Sequence, residues 1–329
     1  MTVADAAVTD YSSITEMKGV EGLKSKTKTM AKLKDYLPLY LMMIPGLAYL
    51  IINNYIPMFG IVVAFKKFNV VDGIYGSPWN GIKNFEYLFT SNDAATIIRN
   101  TMLYNVAFIL VNNIVGIALA IMICDVRHES LKKLYQSSIL LPFLVSIVVV
   151  SYIVFALLSH ENGMFNAILK ASGKDPAQWY NDTTWWPLIL IVVNCWKGVG
   201  YGTLIYIAAI AGIDNSFYEA AELDGASKLQ QITHITLPCI VPSIITLMIM
   251  SVGRIFYSDF GLFYQVPQNS GSLYSVTNTI DTYVYRALIS SGGIGRSSAA
   301  GVLQSVVGFI LVVSVNALVR KISKENAIF

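Results

Sequence analysis

Six long apolar runs separated by polar stretches dominate the pattern along the chain, at about residues 37–65, 101–124, 139–158, 185–213, 238–257 and 299–319. Each is close to the roughly 20 residues that a helix needs to cross a bilayer. Backbone groups at that depth must be bonded within their own segment, so the runs are predicted as helices. The first and fourth are longer than one crossing requires, and tilting or kinking is expected there. Pro45 and Pro57 give the first run places to bend. Pro142, Pro187 and Pro238 stand near predicted helix starts, where a missing N–H is harmless. The expected fold class is all-α, a polytopic membrane protein with six transmembrane helices.

Composition agrees, with 55% hydrophobic and 13% charged residues, against about 25% charged in soluble domains. The net charge of +3 comes from basic residues at the edges of the runs and does not point to nucleic acid. Alternate polar segments hold thirteen of the 23 Lys and Arg, including Lys18, Lys24, Lys26, Lys28, Lys32 and Lys34 ahead of the first run. The opposite, longer segments hold eight, and the remaining two, Lys197 and Arg254, lie inside runs. Basic residues concentrate on the cytosolic side. Both termini and the 214–237 loop are therefore expected in the cytosol, on a multi-pass protein of the bacterial cytoplasmic membrane. Residues 1–35 read as a cytosolic tail without the short apolar core of a secretory signal, and 36–329 as the membrane domain.

Catalytic patterns are missing. The glycines at 293 and 295 have neither the spacing nor the lysine of a phosphate-binding loop, and there is no His-Glu-x-x-His or Gly-x-Ser-x-Gly. Cys124, Cys195 and Cys239 lack paired spacing and read as packing residues, so no metal site is expected. Three function classes remain: a permease driven by a partner, an ion-coupled secondary transporter for a small polar solute, and a membrane-embedded enzyme. Proton-coupled carriers need an ionisable relay in the membrane. No run holds an Asp or Glu, and His128, His160 and His234 are read as loop residues. A sodium site made of carbonyls and hydroxyls stays open. No cluster of nucleophile, base or metal ligands supports an enzyme.

The most informative polar stretch is Ser216-Phe-Tyr-Glu-Ala-Ala-Glu-Leu-Asp-Gly225, followed after ten residues by Thr236-Leu-Pro238. Ser216 with Glu219 has the spacing of a capping box, and Glu219 is expected in the first turn, at the positive end of the helix dipole. Phe217, Ala220 and Ala221 offer an apolar patch small enough for another surface to approach closely. Gly225 suits the left-handed residue that ends a helix. Leu229, Ile232 and Ile235 mark a second amphipathic turn, and Pro238 opens the next run.

Glu219-Ala220-Ala221, Gly225 and Ile235-x-Leu237-Pro238 together resemble the EAA motif of binding-protein-dependent ABC importer permeases. Residues from about 95 to 320 resemble the core of that superfamily, including Leu141-Pro142 and Asn162-Gly163-Met-Phe-Asn166. Asp259-Phe-Gly-Leu-Phe-Tyr264 and Asp281-Thr-Tyr-Val-Tyr-Arg286 look like its carbohydrate branch, the importers of oligosaccharides and polysaccharides. The resemblance implies the type I importer permease fold, with a coupling helix formed by Ser216, Glu219, Ala220, Ala221, Gly225, Leu237 and Pro238. It also implies a second, similar permease, two ATP-binding cassette subunits that hold ATP and Mg, and an extracytoplasmic solute-binding protein. The chain itself is then expected to bind no cofactor and to catalyse no hydrolysis.

Polar residues within the runs are the candidates for a substrate path: Asn105, Asn112, Asn194, Lys197, Tyr201, Arg254, Tyr257 and Asp259. Asn194, Lys197 and Tyr201 share one helical face, as do Asn105 and Asn112. Gly198 and Gly202 lie beside the first stripe, spaced for close helix packing. The asparagines serve equally as interhelical ties. Arg254, about 24 Å along a helix from Pro238, is placed to snorkel. Lys197 falls near mid-membrane, where a charge must meet carbonyls, water, a second permease or the substrate. The aromatic residues of 258–298 read either as an interfacial belt with local packing or as a lip for sugar or a delivery protein.

Overall fold

The computed structural model describes residues 36–90, 92–289 and 293–322. The tail 1–35 with its lysines, Gly292 and Lys324 fall outside them. The described residues are almost wholly helical, with one isolated antiparallel bridge between Lys66 and Trp79. The chain divides into two compact units, Met1–Ile61 and Val62–Phe329.

The first helix, α1 (Tyr36–Phe65), is long and apolar enough to cross a membrane. It contains a π-helical turn at Ile51–Tyr55, two residues ahead of Pro57. Proline has no N–H and its ring presses on the carbonyl four residues back, and the wider π turn relieves both conflicts.

Beyond it come α2 (Lys83–Thr90), α3 (Asn92–Cys124), α4 (Glu129–Leu144), α5 (Ile147–Leu158), α6 (Met164–Ala171) and α7 (Trp186–Ala211). They are followed by α8 (Asn215–Leu223), α9 (Lys228–Val252), α10 (Phe260–Gln265), α11 (Ile280–Ile289) and α12 (Ile294–Ile322). Among the described residues five helices qualify as single spans by length and composition: α1, α3, α7, α9 and α12. The predicted third span is instead a broken pair, α4 and α5, bent by 94°. Pro142 sits in the last turn of α4, not at a helix start. Val145 is extended, and Ser146 caps α5 through the N–H of Val148 at 3.3 Å.

Pro238 likewise does not open its helix. It lies inside α9, two residues after a second π turn at Ile232–Thr236 that also takes in His234, which is therefore helical and not in a loop. That span ends at Val252, so Arg254 stands on an exposed turn beyond it.

The helices α3 and α7 make the most extensive contact in the fold. Tyr206 of α7 donates its hydroxyl to Asn113 of α3, and Ala120, Ile123, Tyr206 and Ile207 pack around it. Close approach occurs at Gly200, where a Cβ would overlap the carbonyl of Ile139 in α4. Gly202 has open space around it, and Gly198 has only the Asn112 amide at 3.9 Å. The expected Gly198–Gly202 packing stripe is thus replaced by one glycine between them.

Residues 258–289 fold as a helical cap. Leu262, Phe263, Val266 and Leu273 are fully buried against Tyr104 and Phe108 of α3, Val150 and Val154 of α5, and Trp186 and Leu190 of α7. For these residues packing wins over an exposed aromatic lip.

Candidate functional site

The 214–237 loop begins with Asp214. Its carboxylate accepts the N–H of Ser216 at 2.9 Å and caps α8. That hydrogen bond holds the carboxyl below the usual aspartate range. The expected Ser216–Glu219 box does not form, because the helix already starts at Asn215, and Glu219 stands in its second turn. A true capping box lies further on, with Ser227 and Gln230 bonding reciprocally at the start of α9.

Gly225 behaves as its sequence context requires. Its φ is +75°. Ala226 N–H reaches Ala221 carbonyl at 2.8 Å and Gly225 N–H reaches Glu222 carbonyl at 3.1 Å. Those two bonds make a Schellman termination, the arrangement that leaves a left-handed residue just past the helix. The loop helix is therefore closed by its own residues at both ends.

Its sides are another matter. No residue of α8 is buried. Phe217 is 57% exposed, Leu223 90% and nearby Leu229 70%, beside exposed Glu219 and Ala220. A short helix is marginal alone in water, so an apolar surface displayed this way calls for a partner. Two side-chain ties join the elements here, one from α8 to α9 and one from the start of α9 to the residue that follows α3. The Tyr218 hydroxyl lies 2.9 Å from that of Thr236 in α9. Lys228 pairs with Asp125 at 3.4 Å, but both are well exposed, and such a pair contributes little. Between these ties a cleft of about 490 Å³ opens, lined in part by Asp125, Lys132, Tyr218 and Gln231.

The eight path candidates separate into two groups. In the first, Asn112 of α3 donates to Asn194 of α7 at 2.9 Å, while its own buried carbonyl oxygen has no partner among the described residues. One turn on, the Lys197 ammonium donates to the carbonyls of Phe143, at 3.2 Å, and Val145, at 2.8 Å. The Phe143 ring stacks on Tyr201 at 5.7 Å and lies 5.8 Å from the ammonium. Within this chain the Lys197 ammonium meets backbone carbonyls, one of the partners open to it in the sequence.

The second group sits at the unwound end of α9. Asn105 binds the carbonyls of Thr101, Ile255 and Tyr257 at 2.8–3.0 Å. The Tyr257 hydroxyl meets Ser305 at 3.1 Å, and Asp259 caps α10 through the N–H of Leu262 at 3.1 Å. Arg254 is exposed.

Several organising residues stood in the sequence only as parts of a resemblance, with no role attached to them. Asp281 accepts the Ser258 N–H at 2.6 Å, the Ser258 hydroxyl at 2.7 Å and the Gln304 amide at 3.2 Å. Arg286 reaches Asn269 and Asn278 and lies 3.9 Å over the Tyr274 ring. Fully buried Asn166 binds Ser159, His160, Ala177 and Trp179. The Tyr180 hydroxyl is buried without a partner among the described residues, which pushes its pKa up to about 12. Among those residues no cluster of three or more His, Cys, Asp or Glu can hold a metal ion.

A short self-capped helix at the mouth of a helical membrane bundle defines a type of molecule, and comparison with known proteins names it. The family described as the binding-protein-dependent transport system inner membrane component matches residues 112–324. The chain belongs to this family. The permease is 34% identical over 303 residues to the polygalacturonan/rhamnogalacturonan transport system permease protein YteP of Bacillus subtilis (strain 168), covering 92% of this chain and 94% of that one. It is 33% identical over 297 residues to protein LplB of the same organism, covering 90% and 93%. Its fold is similar to that of a chain in a bacterial ABC transporter involved in the import of the acidic polysaccharide alginate. There the TM-score is 0.81 at 32% identity, covering 90% of this chain and 99% of that one. A structure of bacterial alginate ABC transporter with an alginate pentasaccharide-bound periplasmic protein gives a TM-score of 0.80 at 32% identity, covering 89% and 97%. The permease is thus an all-α, multi-pass membrane component of an ABC importer, with five candidate spans among the described residues and a sixth where the broken pair makes one crossing.

Proposed function

We propose that the permease forms half of a translocation path for an oligo- or polysaccharide, and that α8 is its coupling helix. The observation that carries the second part is the docking surface itself: a helix closed at both ends by its own residues, with no side chain buried in this chain. The proposed partner is an ATP-binding cassette subunit that receives Phe217, Glu219, Ala220 and Leu223. Two such subunits hold ATP and Mg, a second similar permease completes the path, and an extracytoplasmic binding protein delivers the sugar. The sugar assignment is supported by the substrates in the names of relatives that share about a third of their residues with this chain. The basic bias along the sequence supports termini and coupling helix on the cytosolic side.

The cycle follows from differential affinity. ATP favours the state with closed cassettes, and only such a difference can shift the equilibrium between inward- and outward-open forms. A rigid α8, tied to α9 through Tyr218, passes the motion to the spans. Asn112, Asn194 and Tyr201 form the polar face proposed to meet the path, with the Lys197 ammonium beside them engaged by the carbonyls of Phe143 and Val145. Asn105, Arg254, Tyr257 and Asp259 are assigned to the other end of it, where Asn105 and Asp259 also bind backbone groups and the Tyr257 hydroxyl meets Ser305.

Co-purification and transport test the reading together. A tagged permease should bring down a second permease and a cassette subunit. The reconstituted complex should hydrolyse ATP faster when an oligosaccharide-loaded binding protein is added. Glu219→Ala should leave the complex assembled and abolish most of that stimulation. Full stimulation in Glu219→Ala rules out the coupling role, and stimulation by some non-carbohydrate solute alone rules out the sugar.

A further inference from the structure

We propose that Lys197 is a positioning residue: its ammonium is the C-terminal cap of α4 and holds the break between α4 and α5 in the shape that transport requires. The last carbonyls of any helix lack partners within it, and at membrane depth an unbonded one is costly. At the end of α4, the Pro142 carbonyl takes the N–H of Val145 at 3.2 Å. Those of Phe143 and Val145 take the two hydrogen bonds from Lys197. The contact is also electrostatic, since the C-terminus is the negative end of a helix dipole and favours a cation.

Three further features put the same stretch of α7 against the same end of α4. Residues 197, 200 and 201 share one face at helical spacing. Gly200 lets the α7 backbone come against Ile139, where any Cβ would collide. Tyr201 stacks on Phe143, whose carbonyl Lys197 also holds. None of the spans contains an Asp or Glu near mid-membrane that the lysine could meet instead. The lysine is therefore one part of a bracket, along with a glycine and an aromatic ring, that grips a helix end.

The transport part of this claim rests on the permease reading, whereas the geometric part does not. The distance is measured in the assembled transporter in nanodiscs and the uptake in proteoliposomes of the same complex, with Cys124, Cys195 and Cys239 replaced by Ala and spin labels at Ser137 of α4 and Ala156 of α5. The parent should give one narrow interlabel distance. Lys197→Met should broaden that distribution and lower uptake about tenfold, in line with the loss of a charge at a partly buried helix end. Lys197→Arg keeps the cation and the donors and should restore both. If Lys197→Met fails to assemble, Lys197→Gln against Lys197→Arg gives the same comparison. A narrow distance in a neutral variant overturns the cap, and if uptake is lost as well, Lys197 is a substrate or partner contact. Broadening with uptake intact overturns the link to transport.

Discussion

The hydroxyls of Tyr218 and Thr236 meet at 2.9 Å and join the docking helix to the membrane span that follows it. Apart from the backbone turn at 224–227, this is the shortest polar connection between the two. Tyr218→Phe removes it and little else. A single hydrogen bond contributes about 0.5–1.5 kcal/mol, so the variant should fold and assemble. Basal ATP hydrolysis by the reconstituted complex should persist while stimulation by loaded binding protein falls. Unchanged stimulation would show that the bond transmits nothing.

At Gly225 the backbone itself is the requirement. Its φ of +75° is a region that non-glycine residues enter at a cost of about 1–2 kcal/mol, most readily Asn and least readily a β-branched residue. Gly225→Asn should transport nearly as well as the parent. Gly225→Val should lose uptake while still reaching the membrane, as read by whole-cell uptake beside a membrane blot. Equal uptake by both variants would mean that the Schellman turn does not shape the docking surface.

Tight packing between α7 and α4 makes a sharper prediction about neighbouring glycines. Gly200→Ala drives a methyl into the Ile139 carbonyl, and overpacking of this kind costs about 1–3 kcal/mol. Gly202→Ala meets nothing within 4 Å, and alanine is the better helix former. Thermal unfolding of a fluorescent fusion in detergent should fall for Gly200→Ala and stay level or rise for Gly202→Ala. The reverse order would mean that the close contact is absent from the folded protein.

The Asp214 cap carries a pH signature. Its carboxyl is held below the ordinary value by the Ser216 N–H, so the charged form is favoured when α8 is folded. The stabilisation is fully present above the unfolded aspartate pKa, about 3.9. It disappears as pH falls through the lower folded value. Hydrogen exchange of a peptide spanning 213–226 should accelerate at the acid end of that window in the parent, after correction for intrinsic rates. Asp214→Ala should exchange faster at neutral pH as well, and Asp214→Asn, which still accepts a hydrogen bond, should fall between. Glu219→Ala should match the parent, because Glu219 takes no part in the cap.

The spans and the docking loop were legible because their signals are long or doubly determined. A bilayer fixes the length of an apolar run, and a left-handed residue after a short amphipathic stretch leaves few alternatives to Gly225. The helix start was misjudged because Ser216 and Asp214 are both good caps, and spacing alone does not say which one the backbone uses. Pro142 misled for a related reason: proline is acceptable in the first turn of a helix and also beside a break, and only the position of Lys197 on another helix distinguishes the two. The cap formed by α10 and α11 was not legible because its cohesion comes from Asp281 and Arg286, which bind turns 8–23 residues away, and from Phe263, which packs on α3 far off in sequence. The polar path candidates were correctly seen as sharing faces, but their hydrogen bonds to backbone belong to distances that periodicity does not encode.

The π turn at Ile232–Thr236 sets an angle. An α-helix rotates about 100° with each residue, and a π turn inserts one residue without adding a full turn of length. Everything in α9 after Pro238, including buried Ile240, is therefore rotated by about a quarter-turn relative to an unbroken continuation of Lys228–Gln231. The connection between docking helix and span thus resembles a crank more than a hinge, with its throw fixed by a single inserted residue. Removing one residue there would hardly shorten the helix, yet a force arriving from the loop would push the span in the wrong direction.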